Sequence, residues 1–220
     1  MADRHRDHGF LAAGREVSDA AGAVILLHGR GATAEDILKL GREFAYPEFA
    51  LLAPQAPGNT WYPNSFLAPL EQNEPWLTRS LHTVTGLVDE TSVLGIPREK
   101  IVIAGFSQGA CLACEFVARN PSKSGGLIAF TGGLIGPPGT PFCYSGGLDG
   151  RPVFLGSGDP DPHVPWQRVE ETGSVLSTMG ADVTLRRYAG LQHTVSRQEI
   201  GEARLLLSSV VRRAPINSNS

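Results

Sequence analysis

Residues 101–116 read IVIAGFSQGACLACEF and place a serine between two glycines, in Gly105-Phe106-Ser107-Gln108-Gly109. A serine hydroxyl is a weak nucleophile and needs a base to remove its proton, most often a histidine oriented by a carboxylate. Chance alone can supply a Gly-x-Ser-x-Gly string, so its setting carries the weight. Apolar residues run into it as a buried strand would, and a small-residue helical stretch follows. In such a strand-to-helix turn the serine is forced outward, small neighbours let strand and helix approach, and the helix N-terminus favours developing negative charge. The plain alternative is a structural turn that happens to contain serine.

In sheets that carry this turn, the partners follow in the order serine, acid, histidine. His163 and His193 are the two histidines downstream. His193, in YAGLQHTVSRQEI, falls in a loop between a strand and a final helix, where an imidazole can swing over the sheet edge, so it is the candidate base. His163, in GDPDPHVP, flanks the candidate acids and is poorly placed to donate its ring N–H to them. After the strand near 152–156 that segment offers Asp159 and Asp161, both where active-site loops gather in open parallel sheets. Their spacing does not separate them. Asp149 and Asp182, before a strand and at a strand start, are weaker candidates. The backbone N–H of Gln108 can donate to an oxyanion, and in LLHGRGAT (26–33) the glycines let the N–H of Arg30 supply a second donor. His28 reads as a brace for that loop.

These residues need a scaffold that brings loops together. Strand-like runs occur at 23–28, 49–54, 101–104, 126–133, 152–158 and 182–188. Helical patterns occur at 33–45, with Thr33 as N-cap, and at 76–94, where Trp76, Leu77, Leu81, Val84, Leu87, Val88, Thr91 and Leu94 form a stripe. Further helices are expected at 108–119, 165–179 and 197–212, the last opened by Ser196 and Glu199 in capping-box spacing. Apolar strands alternating with helices predict one α/β domain over 1–220: a mostly parallel sheet covered by helices on both faces, with a frayed tail at 214–220.

Composition narrows the classes. The chain has 220 residues, 41% of them hydrophobic, enough for one sizeable core. A net charge of −3 without a basic run argues against nucleic acid or an anionic membrane surface as partner. The charged start MADRHRDHGF is unlike a secretory signal, and no apolar run is long enough to span a bilayer. Three cysteines do not make a disulfide framework and suit a reducing cytoplasm. Cys111 and Cys114 form a Cys-x-x-Cys on a buried helix and are read as core residues. No residue cluster has metal-ligand spacing, so no metal and no cofactor is expected.

Taken together, LHGRG, WYP, GFSQGA, DPHVP and LQHTVSRQEI resemble the phospholipase/carboxylesterase family, compact α/β-hydrolases that include acyl-protein thioesterases and small bacterial carboxylesterases. The resemblance runs from about Val24 to Leu207. It implies the α/β-hydrolase fold and a serine esterase acting on short- to medium-chain carboxylic esters, small molecules, with lysophospholipase or acyl-protein thioesterase activity and a non-catalytic binding module as alternatives. A homodimer is compatible with it. Residue by residue it implies Ser107 as nucleophile, His193 as base and Asp161, in Asp-Pro-His-Val-Pro, as acid, with the N–H groups of Arg30 and Gln108 in the oxyanion hole. Trp61 and Tyr62 would wall the acyl or alcohol pocket, or else pack within their loop. The position of Arg30 is often apolar in the thioesterases, where it borders an acyl tunnel. A guanidinium there argues against a long lipid chain, and it either meets a substrate carboxylate or points into solvent. The Gly/Pro-rich stretch 134–151 is expected to be a loop rather than a helical lid.

Overall fold

Strands form where β-branched and apolar residues run unbroken, and helices where apolar residues return every three or four positions. The computed structural model describes residues 9–212; the expected tail at 214–220 lies outside them. The elements are β1 (Phe10–Gly14), β2 (Gly22–Leu27), α1 (Ala34–Phe44), β3 (Phe49–Pro54), α2 (Trp76–Val93), β4 (Ile101–Phe106), α3 (Gln108–Arg119), β5 (Gly126–Phe130), β6 (Pro152–Asp159), α4 (Trp166–Thr178), β7 (Asp182–Ala189) and α5 (Arg197–Arg212).

The seven strands form one sheet in the order β1-β3-β2-β4-β5-β6-β7, parallel except for β1, which pairs antiparallel with β3. Both faces are covered. In β2, Ala23, Ile25 and Leu27 point into the core beneath α2, α3 and α4, while Val24 and Leu26 point into the core beneath α1 and α5. Alternating side chains are buried on both sides, which is why the strand reads as a continuous apolar run. The edge strand β7 carries Arg186 and Arg187, charges that discourage pairing with another chain. No helix among the described residues is long and apolar enough to cross a membrane.

Local signals set the helix ends. Thr33 caps α1 in a full capping box with Asp36, and Ser196 and Glu199 close the same reciprocal pair at α5. The strand β1 has no counterpart in the sequence reading, and two expectations are corrected. The strand expected over 126–133 stops at Phe130, because Thr131 turns to φ 53° and its N–H goes to the Gly156 carbonyl of β6. Trp76 and Leu94 do not share the buried stripe of α2: at the helix's two ends they are 48% and 52% exposed, beyond the reach of the sheet. The stretch 134–151 is a loop, as expected, and it is pinned. The buried Arg168 of α4 donates from Nη1 to the Leu134 and Gly136 carbonyls at 2.8 and 2.7 Å and from Nη2 to Pro137 at 3.2 Å.

Candidate active site

The turn from β4 into α3 holds Ser107 at φ 55° and ψ −119°, a conformation rare for a side-chain-bearing residue. Two close approaches explain its glycines. A Cβ on Gly105 would stand 2.4 Å from the Gly109 backbone, and one on Gly109 would stand 2.0 Å from the Leu27 carbonyl oxygen. The Ser107 N–H is held by the Phe130 carbonyl at 3.0 Å. The hydroxyl is thereby presented at the C-terminal edge of the sheet, above the first turn of α3.

Three loops meet there. His193, from the segment between β7 and α5, places Nε2 2.9 Å from Ser107 Oγ. Its Nδ1 lies 2.8 Å from Asp161 Oδ2. With a carboxylate at Nδ1, that nitrogen carries the proton and Nε2 faces the serine hydroxyl as acceptor. Asp161 follows β6. Burial would raise its carboxyl, but the N–H groups of Val164 and His163, each 2.8 Å from Oδ1, together with His193, outweigh that and hold it below the usual carboxylate range. It is therefore an anion at neutral pH, aimed at the imidazole. A proton can pass from Ser107 to His193 while Asp161 stabilises the imidazolium. Asp159 is engaged elsewhere: it is paired with Arg187, whose guanidinium lies over Trp166. His163 sits edge-on to the His193 ring at 4.8 Å, facing the same opening.

The backbone N–H groups of Arg30 and Gln108 donate to no described partner, as an oxyanion site requires. The Arg30 loop is braced from beneath. The buried His28 has Nδ1 2.8 Å from the Gly29 carbonyl, and its Nε2 accepts from Ala56 N–H at 3.1 Å. Burial lowers its pKa despite the opposing pull of the Gly29 bond and the Asp36 charge, so the ring is neutral. Trp61 does not reach the cavity beside Ser107. It packs on His28 with ring centroids 4.9 Å apart, and its Nε1 donates to the His28 carbonyl at 2.8 Å. Tyr62 does line the cavity.

Two features escaped sequence reasoning. The Gln108 side chain is a clamp as well as an N–H carrier: Oε1 accepts from Trp61 N–H at 3.1 Å, and Nε2 donates to the Tyr62 carbonyl at 2.8 Å. Cys111, one turn along α3, reaches the cavity floor as well as the core. Burial pushes its thiol up to about 12, which keeps it protonated and unreactive. Only the small-residue pattern around Gln108 hinted at such closeness.

The cavity at Ser107 measures about 700 Å³ and is walled by Tyr62, Phe66, Phe106 and Val164 among others. On the far side of Phe106 and His193 a second hollow of about 400 Å³ is lined by Ile37, Leu40 and Val195. Gly29, Ala32, Phe106 and His193 line both hollows, so the two adjoin at His193. Among the described residues, no group of three His, Cys, Asp or Glu side chains is placed to hold a metal ion.

Comparison with known proteins shows the family and the fold. The sequence pattern described as phospholipase/carboxylesterase matches residues 15–210. A probable carboxylesterase of Oryza sativa subsp. japonica is 27% identical over 80% of this chain and 73% of its own length. Acyl-protein thioesterase 1 of Debaryomyces hansenii is 29% identical over 61% of this chain, which spans 59% of that relative's length. Among solved structures, a phospholipase/carboxylesterase from Dyadobacter fermentans DSM 18053 superposes with a TM-score of 0.86 at 46% identity, covering 90% of this chain and 95% of its own.

Proposed function

The chain belongs to the phospholipase/carboxylesterase family, and on that premise we propose that it hydrolyses small carboxylic esters of short to medium acyl length through an acyl-enzyme on Ser107. The observation that carries this reading is the continuous hydrogen-bonded chain from Asp161 through His193 to Ser107, at 2.8 and 2.9 Å.

In the proposed reaction, His193 Nε2 takes the hydroxyl proton as Ser107 Oγ bonds to the ester carbon. The carbonyl π pair moves to oxygen, where the N–H groups of Arg30 and Gln108 stabilise it. The tetrahedral intermediate collapses, the C–O bond to the alcohol breaks, and the imidazolium gives its proton to the departing alkoxide. Water then attacks the acyl-enzyme by the same route and releases the acid. Asp161 keeps the Nδ1–H tautomer and balances the imidazolium. The two hollows on either side of His193 offer one place to the acyl part and another to the alcohol. Arg30 on the wall favours modest chains, since a long alkyl chain against a guanidinium forfeits hydration of the charge. A thioester substrate is the second reading, favoured by the relatives named acyl-protein thioesterase. A cytoplasmic setting belongs to the same proposal, supported by three free cysteines, Cys111, Cys114 and Cys143.

The test is covalent labelling by a fluorophosphonate, together with turnover of p-nitrophenyl esters from acetyl to palmitoyl. We expect labelling that Ser107→Ala abolishes, a loss of about 10⁴- to 10⁶-fold in kcat in that variant, and a rate maximum at short or medium chains. Absence of labelling in the native protein refutes the serine mechanism. Rates that climb steadily to palmitoyl refute the chain-length assignment.

A further inference from the structure

We propose that Arg30 makes the cavity beside Ser107 selective for esters that carry a free carboxylate, an inference that rests on the ester-hydrolase reading above and names its substrate class.

The guanidinium of Arg30 is fixed in the cavity wall. Its Nη1 donates to Thr60 Oγ1 at 3.0 Å and to the Pro63 carbonyl at 2.8 Å, and its Nη2 donates to the Asn64 carbonyl at 2.6 Å. Its central carbon stands 5.9 Å from the Tyr62 ring centroid. All three acceptors are neutral, so they orient the group without cancelling its charge. Three of five N–H donors are used; Nε–H and one Nη2–H are left over.

Arginines elsewhere around the site are answered differently. Arg168 meets Glu171, and Arg187 meets Asp159. Arg30 has no carboxylate partner among the described residues, and no Asp or Glu lines its cavity. The titratable side chains that do line it are Arg30, Tyr62, Cys111, His163 and His193. Carboxylates around the cavity are engaged elsewhere: Asp36, on the adjoining hollow, takes Lys39 and the Thr33 hydroxyl. Asp161 has a fully buried side chain and gives Oδ1 to two backbone N–H groups and Oδ2 to His193. Glu115, behind Cys111, is paired with Arg119. An ester seated on Ser107 therefore meets a pre-oriented, unanswered cation on its own cavity wall.

A carboxylate is the group that matches it. Two parallel N–H donors of one guanidinium suit the two oxygens of a carboxylate, and a charge-assisted bond of this kind is stronger than a neutral one. Because the loop 60–64 already holds the side chain, little rotamer freedom is lost on binding. The substrate class is then either the half-ester of a dicarboxylic acid, with the charge on the acyl side, or the ester of a hydroxy acid, with the charge on the alcohol side.

Binding to the Ser107→Ala protein by calorimetry tests this without turnover. Monoethyl glutarate against diethyl glutarate probes the acyl side, and O-butyryl lactate against its ethyl ester probes the alcohol side. We expect the charged member of at least one pair to bind about 10-fold or more tightly. That preference should fall to about 2-fold or less in Ser107→Ala/Arg30→Gln, which keeps a donor for the loop carbonyls and removes the charge. Equal affinities within both pairs overturn the proposal, as does a preference that survives Arg30→Gln. Should the double variant fail to fold, salt decides with Arg30 intact. The preference must shrink between about 0.05 and about 0.5 M NaCl, where screening shortens to a few ångströms, and a preference indifferent to salt overturns the proposal. Failure of native protein to turn over neutral diethyl glutarate or p-nitrophenyl esters counts against the ester-hydrolase reading instead, and leaves the binding result decisive for Arg30.

Discussion

Asp159 and Asp161 stand two residues apart and turn to different cations: Asp159 to the guanidinium of Arg187, Asp161 to the ring of His193. Asp159 ends β6 and Asp161 lies in the loop that follows, so positions two apart supply one surface ion pair and one buried contact to an imidazole. The proposed mechanism makes unequal demands on them. Asp161→Asn should lower kcat about 10⁴-fold, because an amide at Nδ1 no longer enforces the required tautomer. Asp159→Asn should cost less than about 1 kcal/mol of stability, since Arg187 is well exposed, and change kcat little. Steady-state kinetics of both variants check this; a collapse at Asp159 instead would reassign the acid.

Gln108 should matter through its side chain as well as its N–H. Gln108→Ala retains the backbone donor but strips the Trp61 N–H and the Tyr62 carbonyl of their buried partners. We expect about 1–3 kcal/mol of lost stability and a larger KM, since the released loop carries Tyr62 and anchors Arg30. Urea unfolding alongside kinetics separates the two effects. Unchanged stability would show that water replaces the side chain without penalty.

His28 predicts a particular dependence on pH. Its native pKa is lowered by burial, so the unfolded chain takes up a proton first as pH falls through about 6.5. Its contribution to stability is complete above that value and is lost progressively below it, with a limiting slope of about 1.4 kcal/mol per pH unit. Glu199 acts in the opposite sense, because burial raises its carboxyl and the native state binds the proton more readily. The difference between native protein and His28→Asn isolates the histidine. Unfolding free energies measured at pH 7.5 and 5.5 should fall more steeply in the native protein, and parallel lines would refute the assignment.

The thiols offer a quick check on packing. Cys143 is exposed, while Cys111 and Cys114 are buried with raised pKa values. Ellman's reagent at pH 8 should titrate one thiol in the folded chain and all three in denaturant. A second fast thiol in the native protein would mean that the cavity floor at Cys111 opens.

What the sequence disclosed follows a physical division. The meeting of Ser107 with His193 was legible because a candidate nucleophile and base fall in order in turns after strands, whereas spacing left Asp159 and Asp161 open and only the resemblance of Asp-Pro-His-Val-Pro pointed to Asp161, the one the structure sets against His193. Capping of α1 and α5 was legible because Thr33 and Ser196 act on residues three positions away. The strand β1 was not, because FLAAG is short and its state depends on pairing with β3 some forty residues on. Trp76 and Leu94 fit a helical period but lie past the edge of what α2 covers. The Gln108 clamp and the anchoring of Arg30 join segments that are distant in the chain, and no local pattern encodes such partners. Arg30 combines its two sequence readings: it is exposed to solvent, yet held by the Thr60 hydroxyl and the Pro63 and Asn64 carbonyls, with no carboxylate partner among the described residues.

The two glycines around Ser107 divide the mutational landscape of the pentapeptide. Gly105 and Gly109 leave no room for a methyl group against the neighbouring backbone, whereas Ser107 lines an open cavity. Under the proposed mechanism, substituting Ser107 should therefore yield a silent but intact protein, useful as a trap for bound esters. Adding one carbon atom at either flank should wedge α3 away from β2 or β4 and deplete the folded population itself. A deep mutational scan read for abundance and for activity would draw that boundary residue by residue, with the serine vanishing from one map and the glycines from both.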